Sequence, residues 1–201
     1  VGVKFFGVAN LEEAIELQGA GIKDNILILG ASFEDELIEA TKRGVHVAIS
    51  SMGQLQFLIN NNLNPSIHLK FDTGMTRLGF EVDEAEKVIK FCKNNNLNLV
   101  GIFSHLSDSD GNTVETKNFT LKQIEKFKKI VSSLNLEYIH ISNSAGITNF
   151  HNDIIGNLVR LGIGMYSFTG NKKTPYLKNI FTIKSRVLFI KKVKKDSFVS
   201  Y

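Results

Sequence analysis

The sequence is poor in several residue types that would define other classes of protein. It contains one cysteine, Cys92, two prolines and no tryptophan in 201 residues. A single cysteine excludes an internal disulfide framework and is typical of a reducing compartment, so we predict a cytoplasmic location. No apolar run approaches the roughly 20 residues that a membrane span requires. Because the first residue is Val1 and the opening segment has the pattern of a strand, not of a leader, we expect residues to be missing from the front.

The basic residues do not indicate a polyanion partner. The formal net charge is +4 at pH 7, but lysines and arginines are scattered along the chain. The densest basic run, residues 191–195, lies in an alternating segment and is typical of a strand edge and turn. We therefore predict no nucleic-acid partner. We also predict no membrane partner, because no apolar run is long enough, and no metal site.

Short β-rich apolar runs alternate with amphipathic helical patterns. The candidate strands are residues 5–9, 26–30, 45–50, 67–72, 99–104, 138–143 and 158–164, and the clearest helical patterns are residues 11–19, 33–43, 83–93 and 120–132. Asn10 and Ser32 are predicted to cap the first two helices. This alternation indicates parallel β/α units. We predict an α/β fold, a (β/α)8 TIM-type barrel that lacks its first strand. A doubly wound sheet is the competing architecture, which periodicity alone does not exclude.

The pattern changes after Pro175. No helical pattern follows, and residues 181–201 alternate through Ile183, Leu188 and Val193 with a turn signal ending at Asp196. This alternation predicts an antiparallel strand pair. We therefore divide the chain into a barrel domain, residues 1–177, and the beginning of a β-rich C-terminal domain, residues 178–201.

A possible phosphate site lies at the ends of the last two predicted strands. In β/α barrels, functional residues collect where strands end, and the last two strand ends are the usual phosphate site. Gly162 and Gly164 would let backbone N–H groups approach a phosphate closely, and the Ser144 hydroxyl would add a further group. The alternative is two turn glycines and a helix-capping serine.

Arg160 lies inside an apolar segment, where a guanidinium is costly to bury without an acceptor. A ring nitrogen or a carboxylate would supply one. An arginine at a sheet edge facing water is the alternative. His105, at the end of another strand, could orient Arg160 through a hydrogen bond, or could be an ordinary structural histidine.

Lys70 and Arg77 are two cations expected to lie close together at the barrel mouth. They would repel each other unless an anion sits between them. Asp72 is the only candidate nearby in sequence, and it shares a strand face with Lys70. A ligand anion or a modified lysine is the other solution.

Together these stretches resemble the alanine racemases, which depend on pyridoxal 5'-phosphate. Residues 68–79 are similar to the motif at the fifth barrel strand of that family, and residues 142–146 and 159–166 to those at the seventh and eighth strands. Residues 6–14 resemble the start of the second β/α unit, and residues 199–201 the entry to the second domain. The resemblance covers essentially the whole chain.

The resemblance implies a role for each candidate. Ser144, Gly162 and Ile163 would hold the cofactor phosphate, and Asn143 would line the site. Arg160, supported by His105, would donate to the pyridine nitrogen. Arg77 would contact the phenolic oxygen of the cofactor and the substrate carboxylate, and carbamylation of Lys70 would steady it. Tyr201 would be one of two catalytic bases and would reach the active site of the partner subunit.

The resemblance also has gaps. The lysine that bonds to the cofactor lies in a first-strand motif that this sequence does not contain, and most of the second domain is absent. We therefore predict a fragment, itself inactive, of a homodimeric isomerase that interconverts L- and D-alanine for cell-wall synthesis. The alternatives are a racemase of another amino acid, such as serine or lysine, a non-catalytic protein of pyridoxal-phosphate homeostasis, and a non-functional remnant.

Overall fold

In the described residues, six parallel strands follow one another around a curved sheet. The computed structural model describes residues 2–167, 177–178, 180 and 182–198. The strands are β1 (Phe5–Val8), β2 (Asn25–Ile28), β3 (His46–Ile49), β4 (Ile67–Lys70), β5 (Leu99–Phe103) and β6 (Tyr138–His140). Each strand pairs in parallel with its neighbour in sequence. A strand order without reversal is that of a barrel, whereas a doubly wound sheet reverses its order. The predicted barrel-type fold is therefore confirmed.

Helices connect the strands. They are α1 (Leu11–Gly19), α2 (Glu34–Arg43), α3 (Met52–Asn60), α4 (Ala85–Asn94), α5 (Val114–Val131) and α6 (Ser144–Asn149). In the described part of the chain, none of them has both the length and the apolar character needed to cross a bilayer.

The helix caps confirm one prediction and correct another. Asn10 caps α1, because its side-chain oxygen accepts a hydrogen bond from the Glu13 N–H at 3.0 Å. Ser32 does not cap α2, and its buried hydroxyl has no hydrogen-bond partner. The N–H of Phe33 instead donates to the Glu36 carboxylate at 2.6 Å. The acidic first turn therefore supplies the capping group from inside the helix.

One apolar core joins the sheet to the helices. Its fully buried members include Ile28, Ile49 and Leu69 from the strands and Phe127 from α5. Cys92 belongs to this core, where burial raises the pKa of its thiol to about 11. The cysteine is therefore a packing residue of α4.

The sheet curls until its first and last described strands approach each other. The Phe5 ring of β1 lies 4.7 Å from the Tyr138 ring of β6, centroid to centroid. Asn25 of β2 donates to the Tyr138 hydroxyl at 3.1 Å. All three residues begin their strands, so these contacts fill the N-terminal end of the barrel. The opposite end is left for the site.

Residues 158–164 form no strand, so the prediction of a seventh strand is wrong. Gly156 turns the chain with φ of 96°, and the N–H groups of Asn157 and Leu158 both donate to the Ile139 carbonyl. A ladder needs regularly spaced bonds, and two consecutive donors on one carbonyl interrupt that spacing. The segment still follows β6, since the Arg160 N–H donates to the Ser142 carbonyl at 3.0 Å. A 3-10 turn then begins at Ile163.

The predicted antiparallel strand pair does not form within residues 182–198. Its apolar side chains are largely solvent-exposed, with Ile183 87% and Leu188 91% accessible. A two-stranded hairpin has little stability without a surface on which to pack, and in the described residues no core covers these side chains. The division of the chain at residue 178 stays a prediction.

Candidate functional site

A cavity of about 670 Å³ extends from Phe5 of β1, inside the barrel, to the residues that follow β5 and β6. Six residues predicted to bind a cofactor line it: His105, Asn143, Ser144, Arg160, Gly162 and Ile163. Lys70 and Arg77 do not line this cavity. The structure therefore brings one group of predicted residues together and leaves the two other cations beside it.

Ser144 and the segment after β6 form a compact polar corner. The Ser144 hydroxyl oxygen accepts hydrogen bonds from the N–H groups of Gly162 and Gly164, at 3.1 and 3.0 Å. A Cβ atom at position 164 would lie 3.1 Å from that oxygen and 2.7 Å from a Leu161 methyl group, so only glycine fits without a shift. Both backbone N–H groups are thus engaged by Ser144 at one wall of the cavity, and an anion bound there would have to take the place of the Ser144 oxygen as their acceptor.

Asn143 positions Ser144 at the start of α6. Its side-chain oxygen accepts from the Gly146 N–H at 2.9 Å and from the Ser109 hydroxyl at 2.7 Å. Its amide nitrogen donates to the Leu106 carbonyl at 3.1 Å. Asn143 therefore lines the cavity while its polar atoms fix the surrounding loops.

Arg160 crosses the bottom of the cavity. Its Nη2 donates to the Ser104 carbonyl at 2.7 Å and to the Ile141 carbonyl at 3.0 Å, and lies 3.2 Å from His105 Nδ1. Burial lowers its pKa to about 10, so it remains a cation at neutral pH. The Nε–H and one Nη1–H have no hydrogen-bond partner among the described residues. These two donors are available to a ligand.

His140 is the residue that the sequence reasoning missed. Its Nδ1 lies 2.5 Å from Arg160 Nη1, closer than the predicted partner His105. Burial, together with the charge of Arg160 and the neighbouring His68, holds the pKa of His140 well below its usual value, so the neutral ring can accept from the guanidinium. The sequence could have indicated His140, because the alternation of side chains within β6 places Tyr138 and His140 on one face of the strand.

Lys70 is a buried lysine, 5% exposed, with Nζ 5.5 Å from the centroid of the Phe103 ring. Burial and then the charges of Arg77 and Arg160 lower its pKa to about 8, against the opposing effect of Asp72. The Asp72 carboxylate is not paired with it. Asp72 instead accepts from the N–H groups of Gly74 and Thr76, at 2.8 and 3.1 Å.

Two further predictions concern the catalytic base Tyr201 and the absence of a metal site. Tyr201 lies outside the described residues. Within the described residues, no cluster of three or more histidine, cysteine, aspartate or glutamate side chains is arranged to hold a metal ion.

Comparisons with known proteins agree with this geometry. The family profile described as "Alanine racemase, N-terminal domain" matches residues 1–169. The chain belongs to the alanine racemase family. A curated alanine racemase from Fusobacterium nucleatum subsp. nucleatum is 91% identical over all of this chain, and one from Streptococcus uberis is 34% identical over 99% of it.

Solved alanine racemase structures share the fold. The crystal structure of the enzyme from E. faecalis matches 88% of this chain with a TM-score of 0.78 and 33% sequence identity. The chain covers 49% of that structure and 57% of the F. nucleatum relative. It therefore spans about half the length of the alanine racemases that it matches.

Lys70 gives a pH-dependent expectation for stability. Its pKa is about 8 in the folded protein and 10.5 ordinarily, so the unfolded chain binds the proton more tightly. Unmodified Lys70 therefore destabilises the fold at neutral pH, and this effect is lost as the pH rises from about 8 to 10.5. In carbon-dioxide-free buffer, we expect the complete gene product to be less stable at pH 7 than its Lys70→Met variant, by about 3 kcal/mol at most. Urea unfolding of both proteins across this range measures the difference, and a gap independent of pH would contradict the assignment.

Proposed function

We propose that the complete protein containing this chain is a cytoplasmic, homodimeric alanine racemase that uses pyridoxal 5'-phosphate to interconvert L- and D-alanine for cell-wall synthesis. The single observation that carries the proposal is the cavity in which Ser144, Gly162 and Arg160 meet. The names of the relatives support the same reaction, since those cited above are alanine racemases.

The residues present fit this cofactor. The corner formed by Ser144, Gly162 and Gly164 contains two N–H groups that now donate to Ser144 Oγ; a bound phosphate would replace that oxygen as their acceptor and would accept from the Ser144 O–H. The cavity volume of about 670 Å³ is within the range of small-molecule and cofactor sites. The two uncommitted N–H groups of Arg160 suit an acceptor such as a ring nitrogen, which the charged guanidinium keeps unprotonated.

Arg160 tunes the chemistry of the site. When bound, pyridoxal phosphate withdraws electrons from the α-carbon of the amino acid and so makes its proton acidic. A cation at the ring nitrogen moderates that withdrawal, which limits side reactions. His140 and the carbonyls of Ser104 and Ile141 hold Arg160 in place for this role.

Racemisation needs a proton removed on one face of the α-carbon and returned on the other. We assign one of the two bases to Tyr201 of the partner subunit, with the second base supplied by a lysine outside this chain. A phenol has an ordinary pKa near 10 and needs cationic neighbours to act as a base. Arg77 and Arg160 would supply positive charge, and Arg77 would also bind the substrate carboxylate.

The same proposal gives Lys70 a carbamate. The lowered pKa of about 8 leaves a fraction of the amine neutral at physiological pH. The neutral nitrogen can attack the carbon of carbon dioxide, forming an N–C bond and releasing a proton to solvent. The product is an anion. It replaces the repulsion between Lys70 and Arg77 by attraction and so steadies Arg77 for the substrate.

The test is to express the complete gene and assay it. We expect a protein that copurifies with a visible chromophore and forms D-alanine from L-alanine, with serine and lysine converted more slowly. The Ser144→Ala variant should bind pyridoxal phosphate more weakly, because it removes the hydroxyl from the phosphate corner. A protein that binds the cofactor but racemises no amino acid would overturn the proposal in favour of a non-catalytic role.

A further inference from the structure

Three buried histidines form a hydrogen-bonded line across the barrel interior. Nδ1 of His46 on β3 lies 3.1 Å from Nε2 of His68 on β4. Nδ1 of His68 lies 3.2 Å from Nε2 of His140 on β6, and Nδ1 of His140 contacts Arg160. The intervening strand β5 contributes Gly101, where a Cβ atom would lie 2.3 Å from His68 Nδ1. The glycine therefore makes room for the ring that links β3 to β6.

Arg160 fixes the direction of this line. A guanidinium only donates, so His140 must accept at Nδ1 and carry its proton on Nε2. That proton is donated to His68 Nδ1, which leaves the His68 proton on Nε2 for donation to His46 Nδ1. All three rings must be neutral for this order. Burial lowers the pKa of His68 to about 3 and also lowers the pKa values of His46 and His140.

His46, at the end of the line opposite to Arg160, is buried but keeps a small exposed fraction. His46 is 8% exposed and makes edge contacts with the Phe5 and Tyr138 rings, at 5.3 and 6.0 Å between centroids. The negative charge of Glu137 partly opposes the effect of burial on the His46 pKa. His46 is therefore held as the terminal acceptor while its other nitrogen points away from the line.

We propose that His46 and His68 are positioning residues that keep His140 in its Nε2-protonated tautomer and thereby hold Arg160 in its place at the cavity floor. The line runs from the N-terminal end of the barrel to the site and gives the buried histidines a role. That Arg160 faces a cofactor ring rests on the proposed function, whereas the tautomer order does not.

Removing His46, the terminal acceptor, makes the proton arrangement of His140 and His68 less stable. Without His46 Nδ1, the His68 Nε2–H is a buried donor with no partner, which is the costly situation in a protein interior. The reversed order, with His140 protonated on Nδ1, then becomes less unfavourable by comparison. In that order two N–H groups face each other between His140 and Arg160, and the guanidinium is pushed from its position.

The experiment measures tautomers and not only activity. Nitrogen-15 NMR of histidine-labelled complete protein distinguishes protonated from unprotonated ring nitrogens. In the wild type we expect Nε2-protonated His140 and His68, and in His46→Leu about a fivefold rise in the population of the minor tautomer of His140. The His46→Asn variant is the matched control. Its Oδ1 branches from Cγ as Nδ1 does, so it can accept from His68 and restore the wild-type signature.

The outcomes separate the two proposals. An unchanged His140 tautomer in His46→Leu, or a loss in His46→Asn equal to that in His46→Leu, overturns the positioning role even if the protein racemises alanine. If the tautomers shift as expected but the protein binds no pyridoxal phosphate, the role of the three histidines is supported and the proposed function is contradicted. In a cofactor-loaded protein, the visible band of the chromophore should also shift in His46→Leu and recover in His46→Asn.

Discussion

Arg160→Glu should lower racemisation by about 100-fold, the usual cost of losing one preorganised electrostatic partner at a reacting centre. The substitution should also raise the yield of side products. A carboxylate at this position favours a protonated ring nitrogen and so a stronger electron sink. The introduced carboxylate would also lie close to the carbonyl oxygens of Ser104 and Ile141, which accept from Arg160 Nη2 in the wild type. These oxygens would repel it. Rates, product analysis and the visible spectrum of the bound cofactor measure these effects.

Arg160→Lys is the control that separates charge from loss of structure. A lysine keeps the cation but cannot span the acceptors of Arg160, so it should lower the rate without raising side products. Arg43→Glu controls for the general cost of the substitution. Arg43 pairs with Glu39 on the surface, and its loss should change stability by no more than about 0.5 kcal/mol. Side-product levels that are equal in Arg160→Glu and Arg160→Lys would remove the electronic role.

The second large effect is expected from Tyr201→Phe, which removes the proposed base on one face of the substrate. General acid–base groups contribute roughly 100-fold to 10,000-fold, and a loss in that range is expected here. L- and D-alanine have equal free energy, so kcat/KM must fall by the same factor in both directions. The asymmetry should appear in hydrogen exchange. In heavy water, one enantiomer should still exchange its α-hydrogen with retention of configuration, while the other should not.

The two enantiomers serve as controls for each other in this experiment. A misfolded variant or one with weak cofactor binding would slow the exchange of both equally. Loss confined to one enantiomer is therefore specific to a missing base. Equal and rapid exchange from both would show that Tyr201 takes no part in proton transfer.

The sequence predicts the barrel well because its elements are fixed by local pattern. Asn10 and the acidic turn after it mark the start of α1, and the apolar runs mark six strands that form. The Ser32 cap fails because Phe33 occupies the N-cap position of α2, and the Phe33 N–H is satisfied by the Glu36 carboxylate. Local pattern does not decide between neighbouring residues for the N-cap position.

The errors at the C-terminal side have a different cause. The apolar run around Arg160 has the composition of a strand, but Gly156 at φ of 96° and the shared Ile139 carbonyl disrupt the ladder. The alternation of residues 182–198 requires a packing partner that the described residues do not provide. Both outcomes depend on contacts between distant parts of the chain, which periodicity does not contain.

The site divides in the same way. The convergence of Ser144, Gly162 and Arg160 is predicted from the end of β6 and from the glycine spacing, although the segment that carries Arg160 is not a strand. The line from His46 through His68 to His140 does not follow from spacing, because it links three strands across an interior that only the curvature of the sheet creates. A histidine on an apolar strand is a weak signal until its neighbours in space are known.

The hydrogen bonds of Asp72 fix the loop that carries Arg77. With its carboxylate committed to the N–H groups of Gly74 and Thr76, the loop after β4 has its shape before anything binds. Thr76 is held at φ of 55°, directly before the arginine. If Arg77 binds the substrate carboxylate as proposed, only its side chain has to become ordered, because the loop's backbone entropy has already been lost on folding. In that role the arginine requires no closing movement of this loop.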